Sequence, residues 1–293
     1  MTQLKVYITV AATVALLGFS GARLPSVIEV ALLAGAVLLL GVPHGAMDVL
    51  HARYAHGLDR PARWFAFLAL YALVALAVVA AWFYAPTFSL IALLVISAGH
   101  FSGDLGPGSP LALRCVHGAA PVCLPALLHR EELGVLFSAL APASAAATLA
   151  AGLAAFAGPL LIASVGCVLA CARRHRVAAL EVAATAAISS AAPPLTGFVV
   201  YFCLMHSWRH VDRTRRLYST TARTMLWAAG LPTLATAAAG AAAWFLIDPA
   251  SVESGLLQVV FVGLAALTVP HMILIERVRW AGWSGPGEPP DVR

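Results

Sequence analysis

Ten histidines stand in a chain of 293 residues of which only 11% are charged. Five of them, His44, His100, His206, His210 and His271, fall inside long apolar stretches. Ionisable groups in lipid-like surroundings are costly and as a rule face a protein interior with a task. His206 and His210 are spaced i, i+4 in Met-His-Ser-Trp-Arg-His. Both imidazoles therefore leave one helix face and can share one metal ion. His44 and Asp48 have the same spacing in Pro-His-Gly-Ala-Met-Asp, as do His100 and Asp104 in His-Phe-Ser-Gly-Asp. A carboxylate one turn from a ligating His can accept its second ring N–H, which fixes the tautomer, or can ligate directly. Pro43 and Pro270 precede His44 and His271, and a kink there turns a ring inward. Imidazole suits Fe, Zn, Cu or Ni. The five Cys form no C-x-x-C pair and read as small apolar packing residues rather than a disulfide framework or an Fe–S site. An all-His site with open positions in an apolar bundle suits Fe(2+) and O2 chemistry on an apolar substrate.

The elements that must position these residues follow from composition. The chain is 61% hydrophobic, with a mean hydropathy of +0.88. A soluble protein is about a quarter charged and about half apolar. That difference excludes a soluble enzyme, a disordered chain and a nucleic-acid module. The expected class is all-α: a polytopic integral membrane helix bundle forming one membrane-embedded catalytic domain over residues 1–293. At about 20 residues per span, the chain can supply at most about 14 spans. Ten apolar segments stand out, at about 3–20, 26–50, 64–84, 88–104, 110–128, 152–171, 177–192, 195–210, 224–247 and 255–276. Residues 133–150 are rich in Ala and Ser and read as an interfacial or re-entrant piece.

The net charge of +5 comes from 17 Arg and Lys5 against 13 acidic residues. The Arg cluster at 53, 60 and 63; at 173, 174 and 176; at 209, 213, 215, 216 and 223; and at 277, 279 and 293. The positive-inside rule puts all four clusters in the cytoplasm. Ten spans achieve this if 133–150 does not cross and Pro193-Pro194 breaks 177–210 into two crossings. Both termini are then cytoplasmic in a multi-pass protein of the cell membrane. The first helix reads as a retained span rather than a cleaved signal peptide. This threading sets the five apolar-segment histidines at similar depth, near the cytoplasmic ends of four helices. A lone intramembrane His is more often a hydrogen-bonded core residue than a ligand; five at one depth reverse that weighting. His51 lies one stripe from His44 and reads as a neighbour of the site. His117 reads as a packing or hydrogen-bonded residue. His56, His129 and His175 lie beside charges in loops and read as solvated.

The motifs also resemble a family. Gly-Val-Pro-His-Gly-Ala-Met-Asp at 41–48 resembles the first signature of the bacterial and archaeal Brp/Blh-type β-carotene 15,15′-dioxygenases. Pro-Pro-Leu at 193–195, with Tyr-Phe at 201–202 and His-Ser-Trp-Arg-His at 206–210, resembles another. His-Phe-Ser-Gly-Asp at 100–104 and Pro-His-Met at 270–272 are similar to two more. The resemblance runs in order from about residue 30 to 275. Ser102 departs from the glycine of the family pattern, and 133–175 matches poorly.

The resemblance implies a membrane-embedded non-haem iron enzyme that splits the central double bond of β-carotene, or a related carotenoid, with O2 to give two retinals. By motif position, His44, His100, His206 and His210 would be the catalytic Fe(2+) ligands. His271 is a further ligand or a neighbour of the set, and the spacing makes Asp48 and Asp104 partners of the ligating rings. The substrate is an apolar rod that partitions into membrane lipid and bridges much of a ~30 Å hydrocarbon core. Trp208, Phe101, Phe198 and Tyr201 are candidates to clamp it. A rhodopsin is a candidate acceptor for the retinal. Other readings are a membrane iron oxygenase acting on lipid, a metal or proton transporter, and a bis-His haem carrier. Carotenoid and lipid oxygenases group their histidines at one level, whereas a transport path spreads them through the membrane depth.

Overall fold

The structure, a computed structural model, describes residues 2–21, 23–106 and 108–278. Arg279 and Arg293 of the last basic cluster lie outside the described residues. Among the described residues there are helices and turns and no strand. In chain order the helices are α1 (Thr2–Phe19), α2 (Ser26–Ala36), α3 (Val42–Ala46), α4 (Asp48–His56), α5 (Pro61–Tyr84), α6 (Pro86–Phe101), α7 (Leu111–Cys123) and α8 (Pro125–Leu128). They continue with α9 (Arg130–Ser138), α10 (Ala143–Cys171), α11 (Arg176–Ala191), α12 (Pro194–Val200), α13 (Trp208–Leu217), α14 (Ala222–Trp244) and α15 (Val252–Val278). Two π-helical stretches, Val37–Gly41 and Tyr201–Ser207, join α2 to α3 and α12 to α13.

The all-helical expectation holds. Among the described residues, six helical stretches are long and apolar enough to cross a membrane, against ten apolar segments in the sequence: Thr2–Phe19, Ser26–Tyr54 (which runs through α2, the first π-helical stretch, α3 and most of α4), Pro61–Tyr84, Ala143–Cys171, Ala222–Trp244 and Val252–Ile275. α6 and α7 are apolar but have only 16 and 13 residues. At 1.5 Å per residue even the longer reaches about 24 Å, short of a ~30 Å core. The 177–210 stretch does break at Pro193-Pro194, where Ala192 and Pro193 are extended. Residues 133–150 are not one interfacial piece. They divide between the short α9 and the first two turns of the continuous 29-residue α10. Ala and Ser reduced the local hydropathy there without disfavouring helix, since Ala is the best helix former.

Exposure follows the solvent that composition implies. α5 buries only Trp82, and Phe65, Leu68, Leu70, Leu73 and Leu76 point outward. Such a face is stable against lipid rather than water. The interior is held by close approach and a few polar contacts. A Cβ on Gly118 of α7 would lie 2.2 Å from the carbonyl of Ala98 of α6, two residues before His100. A Cβ on Gly18 would meet Ala191 of α11 equally closely. Small residues permit such backbone contact between membrane helices. Tyr7 and Thr185 share a buried 2.7 Å hydrogen bond, and Gln3 donates to the Leu204 carbonyl. These contacts place α1 within the bundle, packed on α11 and on the stretch that carries His206.

Candidate metal centre

Each histidine is delivered by a local break in a helix. Val42 N–H reaches the Val37 carbonyl, an i→i+5 bond. The next residue, Pro43, has no N–H and cannot continue an α ladder. The His44 Nδ1–H turns back to the Gly41 carbonyl, so its Nε2 is free of the proton and carries a lone pair. His206 lies in the second π-helical stretch and His210 in the first turn of α13. His100 ends α6, and His271 follows Pro270 inside α15. π-bulges of this kind recur at functional sites because they re-aim side chains.

The five rings come together. Ring-centre separations are 4.9 Å for His44–His206, 5.5 Å for His44–His210 and 5.3 Å for His44–His271. They are 4.7 Å for His100–His206, 5.4 Å for His100–His271 and 5.1 Å for His210–His271. Two imidazoles bound through Nε2 to one ion at about 2.1 Å have ring centres about 4.6–5.6 Å apart for angles of about 90–120°. The observed separations fall in that range. Among the described residues no three His, Cys, Asp or Glu side chains already sit at ligating distance from one point. The rings are gathered and oriented rather than drawn tight.

The carboxylates supply the orientation, across helices rather than along them. The His206 Nδ1–H donates to Asp104, 2.9 and 3.1 Å from its two oxygens. The His271 Nδ1–H donates to Asp48 at 2.7 Å. The Nε2 atoms of His206 and His271 are buried with no hydrogen-bond partner. A buried nitrogen lone pair without a partner is costly unless an ion or ligand takes it. Carboxylate–imidazole–metal relays have this form. The donor set therefore fits Fe(2+).

The carboxylates that i, i+4 spacing assigns to His44 and His100 are engaged by His271 and His206. α3 ends at Ala46 and α4 begins at Asp48, so the helix is interrupted between His44 and its expected partner. α6 ends at Phe101, and Asp104 lies in the turn beyond. Helical spacing has no force across an interruption.

Arginines hold the Asp104 turn. Arg209 donates to the Asp104 carbonyl at 2.9 Å and forms a buried ion pair with Glu181 of α11. Arg213 donates to the carbonyls of Gly103, at 2.8 Å, and Asp104. Arg114 Nε reaches the Ser102 carbonyl at 3.2 Å. Tyr201 Oη donates to Asp104 at 2.7 Å, and Tyr71 Oη to Asp48 at 3.0 Å. The sequence reading assigned Arg209 and Arg213 to topology alone. One signal was available: Glu181 is the single acidic residue of α11, set among apolar neighbours, and it calls for a cation.

The remaining histidines divide. His51 is fully buried, contacts His210 at a 5.6 Å ring separation, and bonds Tyr218 Oη at 2.8 Å and Thr214 Oγ1 at 3.2 Å. His117 is fully buried with Nε2 3.4 Å from Tyr201 Oη, in keeping with a hydrogen-bonded core residue. His129 is not solvated. It is buried, bonded to the Ala191 carbonyl at 3.3 Å and beside Glu132. The His56 side chain lies outside the described residues.

His44, His100, His206 and His271 line one end of an apolar cavity. Leu90, Leu93 and Leu94 of α6, Phe198, Phe202, Phe261 and Leu264 form its walls. Of the four candidates to clamp a substrate, Phe101 and Phe198 lie on its lining. Tyr201 instead serves Asp104, and Trp208 is 40% exposed on another face.

A family model described as beta-carotene 15,15′-dioxygenase matches residues 35–279. The beta-carotene 15,15′-dioxygenase of uncultured marine bacterium 66A03 is 33% identical over 253 residues, covering 82% of this chain and 90% of that protein. The protein named "Probable beta-carotene 15,15′-dioxygenase Blh" of Halobacterium salinarum is 28% identical over 305 aligned positions, covering 89% of this chain and 87% of that one. No solved structure matches the chain.

Proposed function

The chain belongs to the β-carotene 15,15′-dioxygenase family, and on that premise we propose that it uses Fe(2+) and O2 to split the central 15,15′ double bond of β-carotene into two all-trans-retinal molecules. The observation that carries this reading is the gathering of five imidazoles from four runs of helix, four of them lining one end of an apolar cavity and two backed by carboxylates. His44, His100, His206 and His210 would hold the iron, with His271 as a further ligand. When bound, ferrous iron supplies an open position for O2 beside the polyene. The atoms balance without a reductant, because both oxygen atoms finish in the two aldehyde carbonyls.

The chain's own residues do the rest. Asp104 and Asp48 hold the Nδ1 protons of His206 and His271, which leaves the Nε2 lone pairs directed at the metal. The Leu and Phe walls exclude water and hold an apolar polyene by dispersion contacts. Exposed apolar helix faces favour substrate access from the bilayer, which avoids carrying a long apolar rod through water. The Arg pattern supports one multi-pass domain in the cell membrane with both termini cytoplasmic. Release of retinal into lipid suits uptake by a membrane apoprotein such as a rhodopsin. The gathering of the histidines at one level disfavours a transport path through the membrane depth.

The test is reconstitution in detergent with Fe(2+), β-carotene and air, followed by chromatographic separation of the aldehydes and metal analysis. Retinal as the product, lost together with bound iron in His206→Ala and His210→Ala, is expected. A folded, iron-loaded protein that consumes no carotenoid overturns the proposal.

A further inference from the structure

The cavity that meets the histidines has a far end. Along α6 its lining runs from His100 to Leu90, and along α15 from His271 to Phe261. Each interval is ten residues, or about 15 Å of helix at 1.5 Å per residue. That depth is half of a ~30 Å hydrocarbon core, and so half of a rod able to bridge it.

Leu133, Leu136, Phe137 and Leu140 of α9 and the turn after it also line the cavity. Leu133, Phe137 and Leu140 pack in one buried cluster with Trp82, Leu90, Ala126 and Ala146. The turn is tied to two long helices. Trp82 Nε1 of α5 donates to the Leu140 carbonyl at 3.0 Å. Gln258 Nε2 of α15 donates to the Ala139 carbonyl at 2.9 Å. Both bonds hold main-chain atoms, so they fix the position of the wall whatever side chains it carries.

An apolar rod in an apolar channel lacks a register. Dispersion contacts are individually small and nearly the same after a shift of one bond. Apart from the histidines, the only polar side chains on the lining are Ser97 and Thr268. A polyene without heteroatoms gives them nothing to bond. Choice of one double bond among many must then come from shape, and a fixed end wall is the shape available.

We propose that the cavity is a length gauge. It takes one ring-ended half of a symmetric polyene, and Leu133, Phe137 and Leu140 form the stop that sets the scissile bond beside the histidines. The inference rests on the carotenoid-cleavage reading. α9 then determines specificity while touching no reacting atom. A chamber deepened at the stop lets the ring travel further, and O2 divides the chain into two unequal carbonyl fragments, one of them a ketone where the bond cut bears a methyl group, in place of two retinals. The balance is unchanged, one oxygen atom going to each fragment.

The experiment compares the full-length iron-loaded protein with Phe137→Ala and Leu140→Ala, given β-carotene, with the aldehydes resolved by chromatography and mass. The expected result is a shift in product identity: retinal ceases to be the sole aldehyde, and a longer and a shorter partner appear in equal amounts. Phe137→Leu keeps the cluster packed and carries the same expectation in smaller degree, which covers failure of the Ala variants to fold. Wild-type protein giving retinal while all the folded variants give only retinal overturns the gauge and leaves the function standing. Wild-type protein that cuts no β-carotene overturns the function, and the gauge with it.

Discussion

The His206–Asp104 and His271–Asp48 pairs perform the same task with different supports. Asp104 lies in a turn outside any helix, and its carboxylate receives His206 and Tyr201 while Arg209 and Arg213 hold its main chain. Asp48 opens α4 after the turn at Met47, whose carbonyl takes the Leu50 and His51 N–H groups. Its carboxylate receives His271 and Tyr71, the latter with a second acceptor in the Leu267 carbonyl at 3.4 Å. A turn has no regular main-chain partners, so cations supply them at Asp104. The main chain around Asp48 bonds itself. One pair is therefore coupled to a charged network reaching α11 and α13, and the other stands on packing and a helical main chain.

The largest expected effect comes from breaking that network. Arg209→Met leaves Glu181 buried without its cation, a loss of about 3–5 kcal/mol in stability. Denaturant unfolding in detergent measures it, and the double change with Glu181→Met recovers most of the loss. A single variant as stable as wild type would remove the network from the comparison. No equivalent change exists beside Asp48.

Next come the carboxylates themselves. Asp104→Asn is expected to weaken iron binding by about 10–100-fold, the usual scale for a partner behind a metal ligand. The new amide faces either the His206 N–H or the Tyr201 hydroxyl. Asp48→Asn is expected to cost less, because Tyr71 can turn wholly to the Leu267 carbonyl. Iron titration of the two proteins ranks them, and a larger loss at Asp48 would reverse the comparison.

Smaller effects separate the two tyrosines. Tyr201→Phe removes a hydrogen bond to a buried carboxylate, worth about 1.5–3 kcal/mol, against about 0.5–1.5 kcal/mol for Tyr71→Phe. Thermal unfolding of each variant with and without iron provides the reading. The smallest belongs to Arg216→Ala. Its partner Asp212 is on the surface, and an exposed pair is worth under about 1 kcal/mol. Unaltered retinal output from this variant would show that position, not basic charge in general, gives Arg209 its role.

Much of this was legible before any fold. Hydropathy and scarcity of charge require a helical membrane bundle, because only internally bonded backbone survives in lipid. The same scarcity singled out the histidines. His44, His100, His206, His210 and His271 meet at one end of the cavity or beside it. The span number was less legible. Hydropathy marks α6, α7 and α11 as apolar but does not say that they end after 16, 13 and 16 residues.

What the sequence by itself determined is thus local: the solvent, the helices, and the residue types held at one depth. Tertiary structure alone decided the partners. Asp48 serves His271 and Asp104 serves His206, since helical spacing ends where the helix does, at Met47 and after Phe101. It also decided that α9, part of the stretch read as interfacial or re-entrant, lines the cavity through Leu133 and Phe137, with Leu140 in the turn beyond. Side chains far apart in sequence meet by packing, and a local pattern carries no record of what will pack against it.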